Sequence, residues 1–144
     1  MLTELRIRNF AIIDALTLPL APGFNVLTGE TGAGKSIIVG ALGFLLGERG
    51  TADLIRTGAE KASVEGIFDA TGDADLLALL DARGVDVEDP ATLVLRREIV
   101  ASGRTCAWIN SATTTAAVLA DVGRALVSRH GQHEAQTLLD EESQ

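Results

Sequence analysis

Eight consecutive residues, Gly29-Glu30-Thr31-Gly32-Ala33-Gly34-Lys35-Ser36, fit the pattern G-x-x-x-x-G-K-[ST] at every fixed position. Each fixed residue type has a mechanical task. Glycines let the backbone wrap a phosphate chain so that successive N–H groups point inward as an anion nest. Lys35 supplies a mobile cation that reaches β- and γ-phosphates, and Ser36 offers a hydroxyl to the Mg²⁺ bridging them. The chemistry this permits is the gripping of a nucleoside triphosphate with its Mg²⁺. Gly29, Glu30, Thr31, Gly32, Ala33, Gly34, Lys35 and Ser36 form the binding set, with Lys35 as the catalytic cation and Ser36 as a metal ligand. A chance glycine-rich turn is the bland alternative, and the flanking sequence argues against it.

The elements that must hold such a loop are legible on both sides. Phe24-Asn25-Val26-Leu27-Thr28 reads as a short strand entering it. A helix starting at about Gly34 leaves it, and Ile37 to Leu46 is apolar nearly all round, as in a helix buried on several sides. Strand, glycine loop and buried helix is the order a phosphate loop needs, with the helix dipole aimed at the anion. Two further strands precede the loop. Leu2 to Asn9 alternates with Arg6 and Arg8 on its wet face, and Ala15 to Leu20 follows after a link short enough for an antiparallel hairpin.

Beyond the helix, Gly47 to Gly58 reads as a loop, and Lys61 to Asp69 as a strand burying Ala62, Val64 and Phe68. Asp73 to Arg83 is predicted as a helix capped by Asp73, carrying a Leu76, Leu77, Leu79, Leu80 stripe and stopped by Gly84. Thr92 to Val100 and Arg104 to Ile109 are predicted as strands joined by the turn Ala101-Ser102-Gly103. A last helix is expected from Ser111 or Thr113 to about Leu126, then a short strand over Val127 to Arg129 and a polar loop over His130 to Gln136. Leu138 to Gln144 reads as the start of a further helix, and no segment resembles the acidic strand end that completes a hydrolysing phosphate-loop site. Neither an internal repeat nor a low-complexity linker is evident.

Composition bounds the function classes. The chain has 144 residues, 47% hydrophobic and 22% charged, enough for one core. With 20 acidic and 12 basic residues the net charge is −8, which disfavours a non-specific basic nucleic-acid binder. Eleven acids fall within residues 51–100 while the first fifty are balanced, so a localised basic face stays open. No apolar run reaches membrane-spanning length, the start lacks a secretory layout, and the single Cys106 suits a reducing cytoplasm. Cys106 is read as a small strand residue. His130 and His133 beside Glu134 could imitate a zinc pair, but zinc needs three or four convergent ligands. Arg96 and Arg97 are expected to straddle a strand, one on each face, solvated or salt-bridged, and Trp108 is expected in the core rather than stacked on a base. Read from the residues alone, Gln132 and Arg56 are surface side chains.

Three segments together carry a resemblance: Ile7-Arg8-Asn9-Phe10, the Gly29–Ser36 loop, and His130-Gly131-Gln132-His133-Glu134. The chain resembles the N-terminal part of the ATPase head in the RecN family, bacterial double-strand-break repair ATPases related to SMC (structural-maintenance-of-chromosomes) proteins. The resemblance implies an α/β phosphate-loop NTPase of ABC/SMC type, with residues 1–144 as the N-terminal lobe, a mixed sheet and antiparallel strands ahead of the loop. It implies that a coiled coil and the C-terminal half of the head, with the signature motif and catalytic glutamate, lie outside this chain. By the same likeness Gln132 is the glutamine-loop residue, catalytic and Mg²⁺-contacting, and Arg56 is the arginine linked to DNA-stimulated hydrolysis. Two positions depart from the family pattern: Ala11 stands where many relatives carry arginine, and Ser111 where they commonly carry glycine.

The expected function is ATP binding and hydrolysis driving head engagement in DNA double-strand-break repair and recombination. Implied partners are DNA, a second head on ATP binding, and the C-terminal half of the same head. No membrane partner is expected, and the location is the bacterial cytoplasm, at the nucleoid. The isolated chain is expected to show little turnover. Two alternatives share the loop: an ATP-binding subunit of an ABC-type transporter, and a nucleotide-gated dimerisation module without turnover. A nucleotide kinase is disfavoured by the strands ahead of the loop.

Overall fold

The computed structural model describes residues 2–19 and 32–129, and of residues 32–35 and 127–129 the backbone alone. Alternation governs the strands. In β1 (Leu2–Phe10) Leu5 and Ile7 are buried while Arg6 and Arg8 are exposed, the period-two pattern of a strand with one wet face. β2 (Ile13–Pro19) returns beside it with Leu18 opposite Leu5 and Leu16 opposite Ile7, so the hairpin expected ahead of the phosphate loop is present. β3 (Lys61–Phe68), β4 (Leu93–Val100), β5 (Thr105–Ile109) and β6 (Ala112–Thr114) complete a sheet of order β2-β1-β3-β4-β5-β6. Every described pairing is antiparallel. The strand read over Phe24–Thr28 lies outside the described residues, as do Gly29, Glu30, Thr31, the segment His130–Gln136 and Leu138–Gln144.

Helices cover one face. α1 (Gly32–Leu45) packs on β3 and β4, α3 (Ala116–Arg129) on β5, and α2 (Ala74–Ala82) on α3. Leu5, Ile7, Phe44, Leu45, Leu95, Ile99, Ile109 and Leu119 are fully buried between them. Withdrawing each such side chain from water contributes about 1.5–3 kcal/mol. Gly66 sets how closely α1 lies on β3, since a Cβ there would stand 2.7 Å from Leu45 Cδ2. α2 follows its sequence signals: Asp73 accepts the Leu76 N–H at 3.1 Å as cap, and Gly84 leaves the helix at φ +78°. The turn Ala101-Ser102-Gly103 joins β4 to β5 as expected, with Gly103 at φ +92°.

The segment around residue 111 departs from the expectation. No helix starts at Ser111 or Thr113; Asn110 (φ +50°) and Ser111 (φ +71°) form a two-residue turn, and Ala112–Thr114 pairs back on β5. Positive φ at both central positions is the geometry that matches strand twist in a tight hairpin, and β-branched threonines suit the returning strand. α3 then begins at Ala116, with Thr115 Oγ1 accepting the Val118 N–H at 3.2 Å. It runs through Arg129, so the short strand expected over Val127–Arg129 is instead the helix's last turn. Between Gly123 and Gly131 the sequence offers neither glycine nor proline to stop it.

The other face of the sheet is wet and charged. Register brings Arg6, Glu65, Arg96 and Trp108 into one row across four strands. Arg6 pairs with Glu4 and, at 3.2 Å, with Glu65, while Glu98 accepts both Arg96 and, at 3.7 Å, Lys61. Trp108, expected in the core, is half-buried on this face with the Arg96 guanidinium 5.1 Å from its ring centroid. The pleat decides this: Ala107 and Ile109 take the buried side of β5, leaving positions 106 and 108 outward. Cys106 is accordingly a half-buried strand residue.

Candidate nucleotide site

The second half of the phosphate-loop motif is the first turn of α1. The helical backbone starts at Gly32, two residues ahead of the expected point, so Gly32, Ala33, Gly34, Lys35 and Ser36 all lie in its opening turns. That first turn carries no acidic residue. No carboxylate of that turn therefore competes with an anion for its leading N–H groups or for the positive dipole end. Ser36 is exposed. Main-chain donors, a lysine and a serine are by type a set that fits a phosphate chain with a hard cation. Gly29, Glu30, Thr31 and Gln132 lie outside the described residues, and so do His130, His133 and Glu134. Among the described residues no three His, Cys, Asp or Glu side chains gather as metal ligands.

The far end of α1 is held from several sides. The Gly47 N–H donates to Phe44 O at 3.2 Å and the Glu48 N–H to Gly43 O at 3.0 Å, a Schellman turn with Gly47 at φ +102°. Arg97 reaches the same end from β4. It is 3% exposed, its Nη1 donates to Phe44 O at 2.7 Å and to Glu48 O, and its guanidinium lies 4.3 Å from the centroid of the Phe44 ring. The pair Arg96 and Arg97 does straddle the strand, but Arg97 is neither solvated nor salt-bridged among the described residues. Desolvation by burial lowers its pKa from the ordinary arginine value, and carbonyl dipoles and an aromatic face take the place of a carboxylate. The signal lay in the phase of β4, since 97 falls in step with the buried Leu93, Leu95 and Ile99.

Arg56 is exposed, beside the tip of the β1–β2 hairpin. Its N–H donates to Asn9 O at 2.8 Å, the Ala11 N–H donates to Leu54 O at 2.6 Å, and Phe10 bridges Ile55. Asn9 and Ala11 both hold positive φ, at +53° and +55°, as this clasp requires. Phe10 continues inward to Phe44, ring centroids 6.1 Å apart. Packing therefore links the Arg56 segment to the phosphate-loop helix, and Ala11 contributes a main-chain donor where an arginine side chain is absent.

Residues 4–97 match the AAA domain family. The chain is 46% identical over 142 residues to the DNA repair protein RecN of Halalkalibacterium halodurans, covering 99% of this chain and 25% of that protein. It is 44% identical over 143 residues to the DNA repair protein RecN of Bacillus subtilis, again over 99% of this chain and 25% of the relative. The chain thus spans about a quarter of the length of the curated relatives it matches. In fold it superposes on a chain from the structural biochemistry of ATP-driven dimerization and DNA stimulated activation of SMC ATPases. The TM-score is 0.65 at 22% identity, over 97% of this chain and 98% of the other. The chain therefore belongs to the AAA domain family, as a counterpart of the N-terminal region of RecN proteins, with the fold of the N-terminal lobe of an SMC-type ATPase head.

Proposed function

We propose that this chain is the ATP-binding part of an SMC-like ATPase head acting in DNA double-strand-break repair and recombination, with hydrolysis governing engagement of two heads. The observation that carries the reading is α1: a helix whose glycine-rich first turn has no carboxylate of its own, continuous with an intact phosphate-loop motif. Main-chain N–H groups from Gly29 to Ser36 and the Lys35 ammonium would hold the phosphates, Ser36 and Gln132 would face Mg²⁺, and Arg56 would answer to DNA. When bound, the triphosphate supplies the anhydride to be cleaved and the Mg²⁺ its charge neutralisation. The chain's own residues bind, orient and neutralise; no residue here is assigned as general base, so turnover belongs to the intact protein with its C-terminal half.

The named relatives act in DNA repair, which favours this reading over a transporter subunit. No described helix is long and apolar enough to cross a membrane; a cytoplasmic, nucleoid-associated protein is the accompanying proposal. The test is nucleotide binding by the intact protein with and without Lys35→Ala. Wild type is expected to bind a fluorescent ATP analogue with Mg²⁺, and the variant to lose about a hundredfold in affinity, the scale of a charge-assisted phosphate contact. Equal affinity in both would remove the assignment. In the same preparation, Arg56→Ala is expected to lower the ratio of hydrolysis rates with and without DNA; an unchanged ratio removes that role from Arg56.

A further inference from the structure

Arg97 is a buried cation whose bonds go to the end of α1 opposite the phosphate-loop residues. Its Nη1 holds Phe44 O at 2.7 Å and Glu48 O, its Nη2 stands 3.5 Å from Thr105 Oγ1, and its face lies on the Phe44 ring. Phe44 O belongs to the last turn of α1, the negative end of the helix dipole, where a cation is favoured, and Glu48 O to the turn that follows it. The Schellman turn at Gly47 already supplies N–H donors to Gly43 O and Phe44 O. Ending the helix therefore does not by itself call for an arginine. What Arg97 adds is a fixed attachment of that end to β4, in the middle of the sheet.

We propose that Arg97 is a positioning residue for the nucleotide site: by clamping Phe44 O in the last turn of α1, and Glu48 O in the turn after it, to β4, it sets where the N-terminal amides and Lys35 stand. The inference deepens the nucleotide reading and rests on it. A helix of 14 residues is a rod about 21 Å long, so a tilt of about 3° at one end displaces the other by about 1 Å. Phosphate binding by preorganised amides is sensitive to displacements of that size. The guanidinium suits the task because Nη1 meets both carbonyls while Nη2 turns to Thr105 and the flat face rests on a ring; a lysine ammonium would keep the charge without the second nitrogen or the plane.

The experiment uses the intact protein with Arg97→Met, Arg97→Lys and Phe44→Leu, with Lys35→Ala as reference for the nucleotide site. Fluorescent ATP-analogue affinity is measured with Mg²⁺ well below each variant's unfolding midpoint, beside hydrogen exchange of the amides of residues 36–39. Arg97→Met is expected to weaken nucleotide binding about tenfold and to speed exchange near the start of α1, far from the substitution. Arg97→Lys should fall between it and wild type. If Arg97→Met does not fold, Phe44→Leu, which removes the ring but keeps the carbonyl, is expected to shift both readouts in the same direction. A folded Arg97→Met with wild-type affinity and unchanged exchange at 36–39 overturns the proposal, leaving a residue that only stabilises. If Lys35→Ala binds like wild type, the nucleotide reading fails, and unchanged exchange at 36–39 then decides separately against Arg97 as the clamp of α1.

Discussion

Ser111 holds φ +71° directly after Asn110 at φ +50°. Asparagine tolerates the left-handed region and here is doubly anchored, its Oδ1 accepting the Val94 N–H at 2.9 Å and its Nδ2 donating to Asp86 O at 3.2 Å. Serine has no comparable side-chain anchor among the described residues and carries a Cβ into a conformation that costs about 1–2 kcal/mol for an L-residue. Ser111→Gly is therefore expected to stabilise the chain by about 0.5–1 kcal/mol after the greater backbone freedom of unfolded glycine offsets part of the relief. Urea denaturation with an unchanged m-value would measure it, and a loss of stability would show that the turn is not strained. The same pair explains why this hairpin was hard to read. Asn-Ser lacks the glycine that advertises a primed turn, and the three threonines after it serve equally as strand residues or as a helix cap. Arg97 is the second instance at this scale: residue type argued for solvent while the phase of its strand argued for burial, and phase won.

Helix and sheet meet through missing side chains. A Cβ on Gly47 would stand 2.7 Å from backbone atoms of Ala120, and one on Gly123 would stand 2.9 Å from Leu46 Cβ. The end of α1 and the middle of α3 thus approach closely through two glycines far apart in sequence. Gly47→Ala combines a left-handed φ of +102° with that backbone overlap. It is expected to destabilise by about 2–4 kcal/mol. A thermal unfolding midpoint within a degree of wild type would show that α3 can step back at no cost. Elements with self-contained signals were legible: the Asp73 cap, Leu76 and Leu80, and the Gly84 stop defined α2 to within a residue, and the Gly103 turn placed β4 and β5. What remained hidden was tertiary. The strand expected over Val127–Arg129 is helical because α3 carries Leu119, Val122 and Leu126 into the core, a commitment that local propensity does not record.

For the molecule as a whole, a head lobe that matches a quarter of its relatives' length carries the parts proposed to grip phosphate and none assigned to activate water. The isolated chain is accordingly expected to show no more than trace ATP hydrolysis, while the intact protein turns over; steady phosphate release from residues 1–144 alone, abolished by Lys35→Ala, would contradict it. The phosphate-loop motif is what makes the proposed site legible in the sequence, because its spacing is dictated by a ligand and not by packing. The packing proposed to aim the motif, from Phe10 through Phe44 to Arg97, shows in the sequence only through the phase of its strands.

The charged side of the sheet carries a consequence for nucleic acid. Arg6 is flanked by Glu4 and Glu65, and Glu98 draws in both Arg96 and Lys61, so a polyanion drifting toward these strands meets a mosaic of alternating sign and little net attraction. Side chains already paired neutralise few phosphates, so few of the counterions condensed on a duplex would be released here. Arg6→Gln in the intact protein should then leave the slope of log affinity against log salt for duplex DNA unaltered; a slope shallower by about one would mean that this arginine abandons its carboxylates for a phosphate.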